Sequence, residues 1–326
     1  MKCTNKIKRS LIVACIATIF LSGCGKSNYA FEYSKNHHTS SFNIISSTTP
    51  QTFNTFSSNF CVVTEDILSE NFSIEDKSAG GLFDVKNNRV LYCKDANEML
   101  YPASLTKVMT ALVAIKYGKM EEVLVASENV KIKDSSATVI GLKKGDTMTL
   151  NQALHILLIN SSNDVANLIA ENVAGDIDTF VQMMNDEAKR LGATNTNFTN
   201  PHGLSDSNHY TTVYDMYLIF NEAIKFEIFN EIIHMHTYET VYYDLRGKDK
   251  EVKITTTNMF LRGNYSAPEN ITVVGGKTGT TNMAGNCLMI LAKDSAANPY
   301  IGIILRASSR DLVNKEMIQM LSEINK

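Results

Sequence analysis

Long apolar runs are nearly missing from this chain, and the one near its start, Leu11 to Leu21, falls well short of the roughly 20 residues a membrane-spanning helix needs. A basic excess is missing too. Its 326 residues carry 31 Lys and Arg against 34 Asp and Glu, a net charge of -3, so nucleic-acid phosphates would find no surplus of cations, which argues against a nucleic-acid partner. The seven histidines include no His-Glu-x-x-His pattern, so nothing calls for a metal or any other cofactor. What remains is an ordinary globular composition, 44% hydrophobic and 20% charged, enough for one large domain or two small ones.

The start of the chain has its own logic. Lys2, Lys6, Lys8 and Arg9, the apolar run and the small pair Ser22-Gly23 read as a secretory signal over residues 1–23, which implies export. Leu21-Ser22-Gly23-Cys24 resembles the lipobox of bacterial lipoproteins, and that resemblance implies cleavage before Cys24, lipid on its thiol and attachment to a membrane. Residues 24–60 are rich in Ser, Thr and Asn, hold Pro50 and keep no sustained period; they read as a tether. Cys3 and Cys15 leave with the signal and Cys24 with the lipid. Cys61, Cys93 and Cys287 then remain, an odd and widely spaced set that makes no disulfide framework. Cys93 and Cys287 read as buried strand residues.

The folded part is expected to begin near Ser78. Gly80 to Val85 and Arg89 to Cys93 read as a β-hairpin turning on Lys86-Asn87-Asn88, since asparagine tolerates the left-handed conformation of tight turns. A helix follows, with Val108, Leu112 and Ile115 at helical spacing. From about 119 to 244 the chain reads as predominantly helical, including Leu150 to Ile159, Asp164 to Val173, and Asp178 to Leu191 stopped by Gly192. Strands return at Ile271 to Gly276, Asn286 to Ala292 and Tyr300 to Ala307, and Asp311 to Ile324 closes the chain as an amphipathic helix. The expected class is α+β: an antiparallel sheet assembled from both chain ends, flanking helices, and an inserted, mostly helical subdomain.

Chemistry concentrates at three places. In Tyr101-Pro102-Ala103-Ser104-Leu105-Thr106-Lys107, Ser104 and Lys107 are three apart, a spacing that puts both on one helix face. A protonated lysine cannot accept the serine proton, so burial or a second cation must lower its pKa. Asn160-Ser161-Ser162-Asn163 breaks two apolar helices and offers a hydroxyl and an amide at Ser161 and Asn163. That signal is weak alone, because Ser34, Ser41, Ser57, Ser69 and Ser127 also begin Ser-x-Asn triplets. Lys277-Thr278-Gly279-Thr280 occurs once, after an apolar run, and Lys277 is the candidate for the second cation.

These three motifs, in this order, resemble those of the penicillin-binding proteins and serine β-lactamases. Tyr101-Pro102-Ala103 before the serine, Asp164 after the middle motif, Asn200-Pro201-His202-Gly203-Leu204, His209-Tyr210 and Tyr214-Asp215-Met216 make the chain most similar to the low-molecular-mass D-alanyl-D-alanine carboxypeptidases, from about Ser78 to the C-terminus. The resemblance implies a β-lactamase/transpeptidase-like fold, with a catalytic domain over 61–326. It implies attack by Ser104 on a peptidoglycan stem peptide ending in D-Ala-D-Ala, with Lys107 as base. Ser161 would pass a proton, Asn163 would bind substrate backbone, and Lys277 and Thr278 would hold the terminal carboxylate. The N–H groups of Ser104 and Thr280, the residue after Gly279, would form an oxyanion hole. β-Lactam antibiotics would acylate the same serine.

Two departures stand out. Ser162 occupies a place where many relatives carry glycine, and no all-β domain follows the catalytic one, so a lipidated N-terminal tether would replace C-terminal membrane attachment. A serine β-lactamase is the competing enzyme, disfavoured because no Glu-x-x-x-Asn element lies between Asn163 and Lys277; Glu171 and Glu187 read as surface helix residues. A non-catalytic muropeptide-binding lipoprotein is the alternative from another class, disfavoured because Ser104, Lys107 and Lys277 are all present. His202 and His209 read as residues that hold loop backbone, and His234-x-His236 as an element edge.

Overall fold

The computed structural model describes residues 60–326, so the signal segment, Cys24 and nearly all of the expected tether lie outside the described residues. In chain order the elements are β1 (Ala79–Asp84), β2 (Arg89–Lys94), α1 (Thr106–Tyr117), β3 (Val123–Val125), β4 (Thr147–Thr149), α2 (Leu150–Ile159), α3 (Asn163–Ala174), α4 (Ile177–Leu191), α5 (Val213–Ala223), α6 (Glu227–His234), β5 (Thr237–Tyr243), β6 (Asp249–Thr255), β7 (Thr272–Thr281), β8 (Gly285–Lys293), β9 (Pro299–Ala307) and α7 (Arg310–Leu321). The architecture is α+β, as the sequence predicts.

A five-stranded antiparallel sheet, ordered β2-β1-β9-β8-β7, joins the two ends of the chain where β1 pairs with β9. The hairpin β1–β2 turns through Asn88 at φ 52°, a left-handed position asparagine accepts at low cost. Because side chains alternate along a strand, both faces of the sheet are buried. Met289, Leu291, Ile301 and Ile303 join the core formed with α1 to α6, while Leu288, Ile290 and Ile304 join a second core with Val313, Met317 and Met320 of α7. This leaves β7 as the edge strand beside the helical region.

The helices start and stop where local chemistry dictates. Thr149 and Gln152 form a reciprocal capping box at α2, and Asp176, Thr212 and Ser309 cap α4, α5 and α7 by accepting backbone N–H groups. Gly192 ends α4 in the left-handed conformation at φ 84°.

Two expectations are corrected. The region read as predominantly helical contributes three strands to a second sheet, ordered β3-β4-β5-β6. β3 and β4 are three residues long, too short to display a period, and the β5–β6 hairpin buries only Tyr242 and Ile254 outright, so its alternation is faint in sequence. The fold also begins before Ser78. Cys61 is fully buried, its N–H donating to Tyr217 Oη at 3.0 Å and its carbonyl accepting from Tyr214 Oη at 2.9 Å, and Ile67 pairs with Cys93 as an isolated bridge. Such an irregular segment carries no periodic signal. Cys93 on β2 and Cys287 on β8 are buried strand residues, as read from the sequence.

Candidate active site

Ser104 sits in a single 3-10 turn, Ala103–Leu105, just ahead of α1. The sequence expects it at the N-terminus of a core helix, and there it lies, in the turn ahead of the first α-helical residue and behind Ala103, whose φ of 47° no α-helix accommodates. Two glycines grip this turn. A Cβ on Gly279 would lie 3.0 Å from both Ala103 Cβ and Ser104 N, so β7 comes this close because its side chain is a hydrogen. A Cβ on Gly203, which has a φ of +84°, would fall 1.9 Å from the Ala103 carbonyl oxygen.

Lys107 is completely buried one turn along, with Nζ 3.0 Å from Ser104 Oγ, 2.7 Å from Asn163 Oδ1 and 2.6 Å from the His202 carbonyl oxygen. Burial, helped by the positive charge of Lys277 and opposed by Asp164, lowers its pKa well below the usual lysine value. A neutral amine has two N–H groups and one lone pair. Asn163 Oδ1 and the His202 carbonyl can only accept, so they take both N–H groups, and the lone pair is left to receive the Ser104 hydroxyl.

Lys277, 1% exposed on β7, donates to Ser161 Oγ at 2.9 Å and to the Thr278 carbonyl at 2.9 Å. Burial brings its pKa down to about 7. Ser161 reaches it from a left-handed position, φ 66°, between α2 and α3. The neighbouring Ser162 is fully buried and its hydroxyl accepts from Asn160 Nδ2 at 2.8 Å, so the residue that departs from the common glycine is turned away from the cleft.

All three motifs therefore meet around one cleft of about 1000 Å³, lined by Ser104, Ser161, Asn163, Thr278, Gly279 and Thr280 among others. Thr278 Oγ1 donates to Thr257 Oγ1 at 2.6 Å, and Thr280 Oγ1 to Asn286 Oδ1 at 3.2 Å. The wall opposite β7 is a loop fastened by Asp164. Its buried carboxylate accepts the N–H groups of Ile140, Gly141 and Leu142 at 3.3, 2.8 and 3.0 Å, and Asn163 N donates to the Thr138 carbonyl at 2.8 Å. Asp164, Thr257 and the His202 carbonyl were not assigned from sequence. Asp164 followed the middle motif in plain view, whereas Thr257 and a backbone carbonyl carry no signal in a single sequence.

Glu171 bonds the Ser127 N–H and hydroxyl, and Glu187 is paired with Lys116 and Arg190, so neither carboxylate lines the cleft. His234 ends α6 and His236 precedes β5, both at element edges as read.

With this geometry in hand, the fold proves to be that of the DD-transpeptidases. A Streptomyces DD-transpeptidase superposes with a TM-score of 0.69 at 23% identity, covering 78% of this chain and all of its own. A penicillin-binding protein homologue from Mycobacterium tuberculosis gives 0.66 at 26% identity, covering 78% and 95%. Residues 67–309 match the D-alanyl-D-alanine carboxypeptidase family, and the chain belongs to it. Two relatives carry that name: DacF of Bacillus subtilis, 35% identical over 76% of this chain and 61% of its own length, and DacC of Escherichia coli, 31% identical over 76% and 60%. The chain thus spans about three fifths of the length of these relatives.

Proposed function

We propose that this chain is a serine-type D-Ala-D-Ala carboxypeptidase that removes the terminal D-alanine from peptidoglycan stem peptides, and that β-lactams acylate it at the same serine. The observation that carries this reading is the buried environment of Lys107, whose Nζ lies 3.0 Å from Ser104 Oγ and within hydrogen-bond distance of two oxygens, Asn163 Oδ1 and the His202 carbonyl, that can only accept.

In this reading Ser104 Oγ bonds the carbonyl carbon between the two alanines as its proton passes to Lys107 Nζ. The oxyanion rests on the N–H groups of Ser104 and Thr280. That proton goes on from Lys107 by way of Ser161, which is bridged to Lys277, to the departing amine as the C–N bond breaks, D-alanine leaves and Lys107 is neutral again. Water then attacks the acyl-enzyme, Lys107 takes its proton and returns it to Ser104 Oγ as the ester C–O bond breaks, and the shortened peptide is released. Asn163 binds substrate backbone, and Lys277 with Thr278 holds the terminal carboxylate. The positions of Glu171 and Glu187 outside the cleft favour this enzyme over a β-lactamase, since neither can activate a deacylating water there. The signal over 1–23 and the Cys24 lipobox further support an exported enzyme held to a membrane by lipid, on a tether over 24–60.

The test is intact-mass measurement of the full chain with benzylpenicillin over time, beside Ser104→Ala, together with release of D-alanine from a D-Ala-D-Ala peptide. A lasting adduct confined to the wild type, with D-alanine released, is the expected result. Rapid drug hydrolysis with only a fleeting adduct would make the chain a β-lactamase. Loss of palmitate labelling in Cys24→Ala checks the anchor.

A further inference from the structure

His209 lies in the loop ahead of α5, contributes nothing to the cleft wall and is 1% exposed, yet it ends a chain of hydrogen bonds that reaches the nucleophile turn. Its Nδ1 receives the Thr199 N–H at 3.0 Å, and a backbone amide can only donate, so the ring proton must sit on Nε2. Nε2 stands 2.8 Å from Thr106 Oγ1. Thr106 Oγ1 in turn donates to the Ala103 carbonyl oxygen at 2.8 Å. The direction of every bond is therefore fixed: His209 donates to Thr106, and Thr106 donates to Ala103.

The Ala103 carbonyl and the Ser104 N–H are the two ends of one planar peptide group, so holding one aims the other. That peptide has reason to turn away. Ala103 adopts a φ of 47°, a left-handed conformation that costs a residue with a Cβ and persists only when its surroundings enforce it. Beside Thr106 Oγ1, Gly203 packs against the same carbonyl so closely that a Cβ would sit 1.9 Å from its oxygen. The loop from Asn200 to His209 thus presses on this one peptide twice, once through Gly203 and once through His209.

Resting on the reading of Ser104 N–H as an oxyanion donor, we propose that His209, acting through Thr106, is the positioning residue that aims this donor at the reacting carbonyl. It touches neither substrate nor nucleophile. An aimed donor matters only when negative charge develops, so its loss lowers the chemical rate and leaves ground-state binding unchanged.

The experiment compares the full chain with His209→Phe, His209→Gln and Thr106→Val, measuring kcat and KM for D-alanine release from diacetyl-Lys-D-Ala-D-Ala and the acylation rate by a chromogenic β-lactam. Rates are normalised to the sites that acylate, so a variant that merely folds less well does not register. Phe fills the space beside Phe198, which the imidazole meets edge-on, but donates nothing. Gln presents an N–H near the place of Nε2. The expected result is a kcat reduced about 10- to 100-fold in His209→Phe and Thr106→Val, with KM within threefold of wild type and most of the rate restored in His209→Gln. Thr106→Val reads the same link without altering the ring site, should His209→Phe not fold. Wild-type kcat in Thr106→Val, or a loss carried by KM, overturns the proposal. A wild-type enzyme that releases no D-alanine overturns the proposed function instead, and the two failures are distinct.

Discussion

A neutral lysine whose two amine hydrogens are taken by carbonyl oxygens has only a lone pair left to give, and Asn163 Oδ1 and the His202 carbonyl, 2.7 and 2.6 Å from Lys107 Nζ, are placed to take them. Arginine, always protonated, has no such pair, so Lys107→Arg should slow acylation by a β-lactam about 10²- to 10⁴-fold, read as loss of the time-resolved mass adduct. In the proposed reaction Lys277 has the opposite charge requirement. Burial brings its pKa down to about 7, so it is a cation below that pH and a free amine above it. Its proposed attraction for a substrate carboxylate should therefore be present at low pH and fade as pH rises through about 7. The kcat/KM for a carboxylate-bearing substrate, which reports groups in the free enzyme, should fall on the alkaline side near that value. Lys277→Arg should move the fall upward, and a profile of native enzyme flat to pH 9 would show that Lys277 does not act as a cation.

At the scale of elements, the site depends on how closely loops and strands approach one turn. Gly203→Ala would place a methyl group on the Ala103 carbonyl and hold alanine at φ +84°; it should cost at least about 1–3 kcal/mol in urea unfolding and abolish acylation together. Asp164→Ala removes the acceptor of three loop N–H groups, and the amides of Gly141 and Leu142 should lose hydrogen-exchange protection before the rest of the domain does. Much of this was legible in sequence. Leu150 to Ile159 is legible to the residue, because its apolar side chains run up to the polar break at Asn160-Ser161-Ser162-Asn163. Ser104, Lys107, Ser161, Asn163 and Lys277 were legible because their spacing and order are constrained by chemistry; Ser104, Ser161 and Asn163 line one cleft, and the buried Lys107 and Lys277 are hydrogen-bonded to them. What escaped was whatever acts through backbone. The His202 carbonyl, the amides that hold Asp164 and the three-residue strands β3 and β4 depend on groups every residue has, so no choice of side chain reports them.

Across the whole molecule, charge fastens the helical layers. Glu187 on α4 binds Lys116 of α1 and Arg190 of its own helix, and Arg190 reaches Glu222 of α5. Burial would raise the Glu187 carboxyl, but the bonds from Arg190 and Lys116 prevail and hold it below its ordinary 4.5. A depressed folded pKa contributes stability that is complete above 4.5 and disappears as pH falls through the folded value. The melting temperature should therefore drop with acid below about pH 4.5. The drop should be shallower in Glu187→Gln. The sheet that joins β1 to β9 also imposes an order in time. Ser104 and Lys107 are synthesised long before Lys277, and β7 joins the sheet only when β8 and β9 bridge it to β1. While the chain is still being made, the serine of the proposed reaction would have its base without the cation that helps keep that base neutral. In the proposed reaction the nucleophile would be armed only when the last strands arrive, so an unfinished or clipped chain should carry the motif and none of its reactivity.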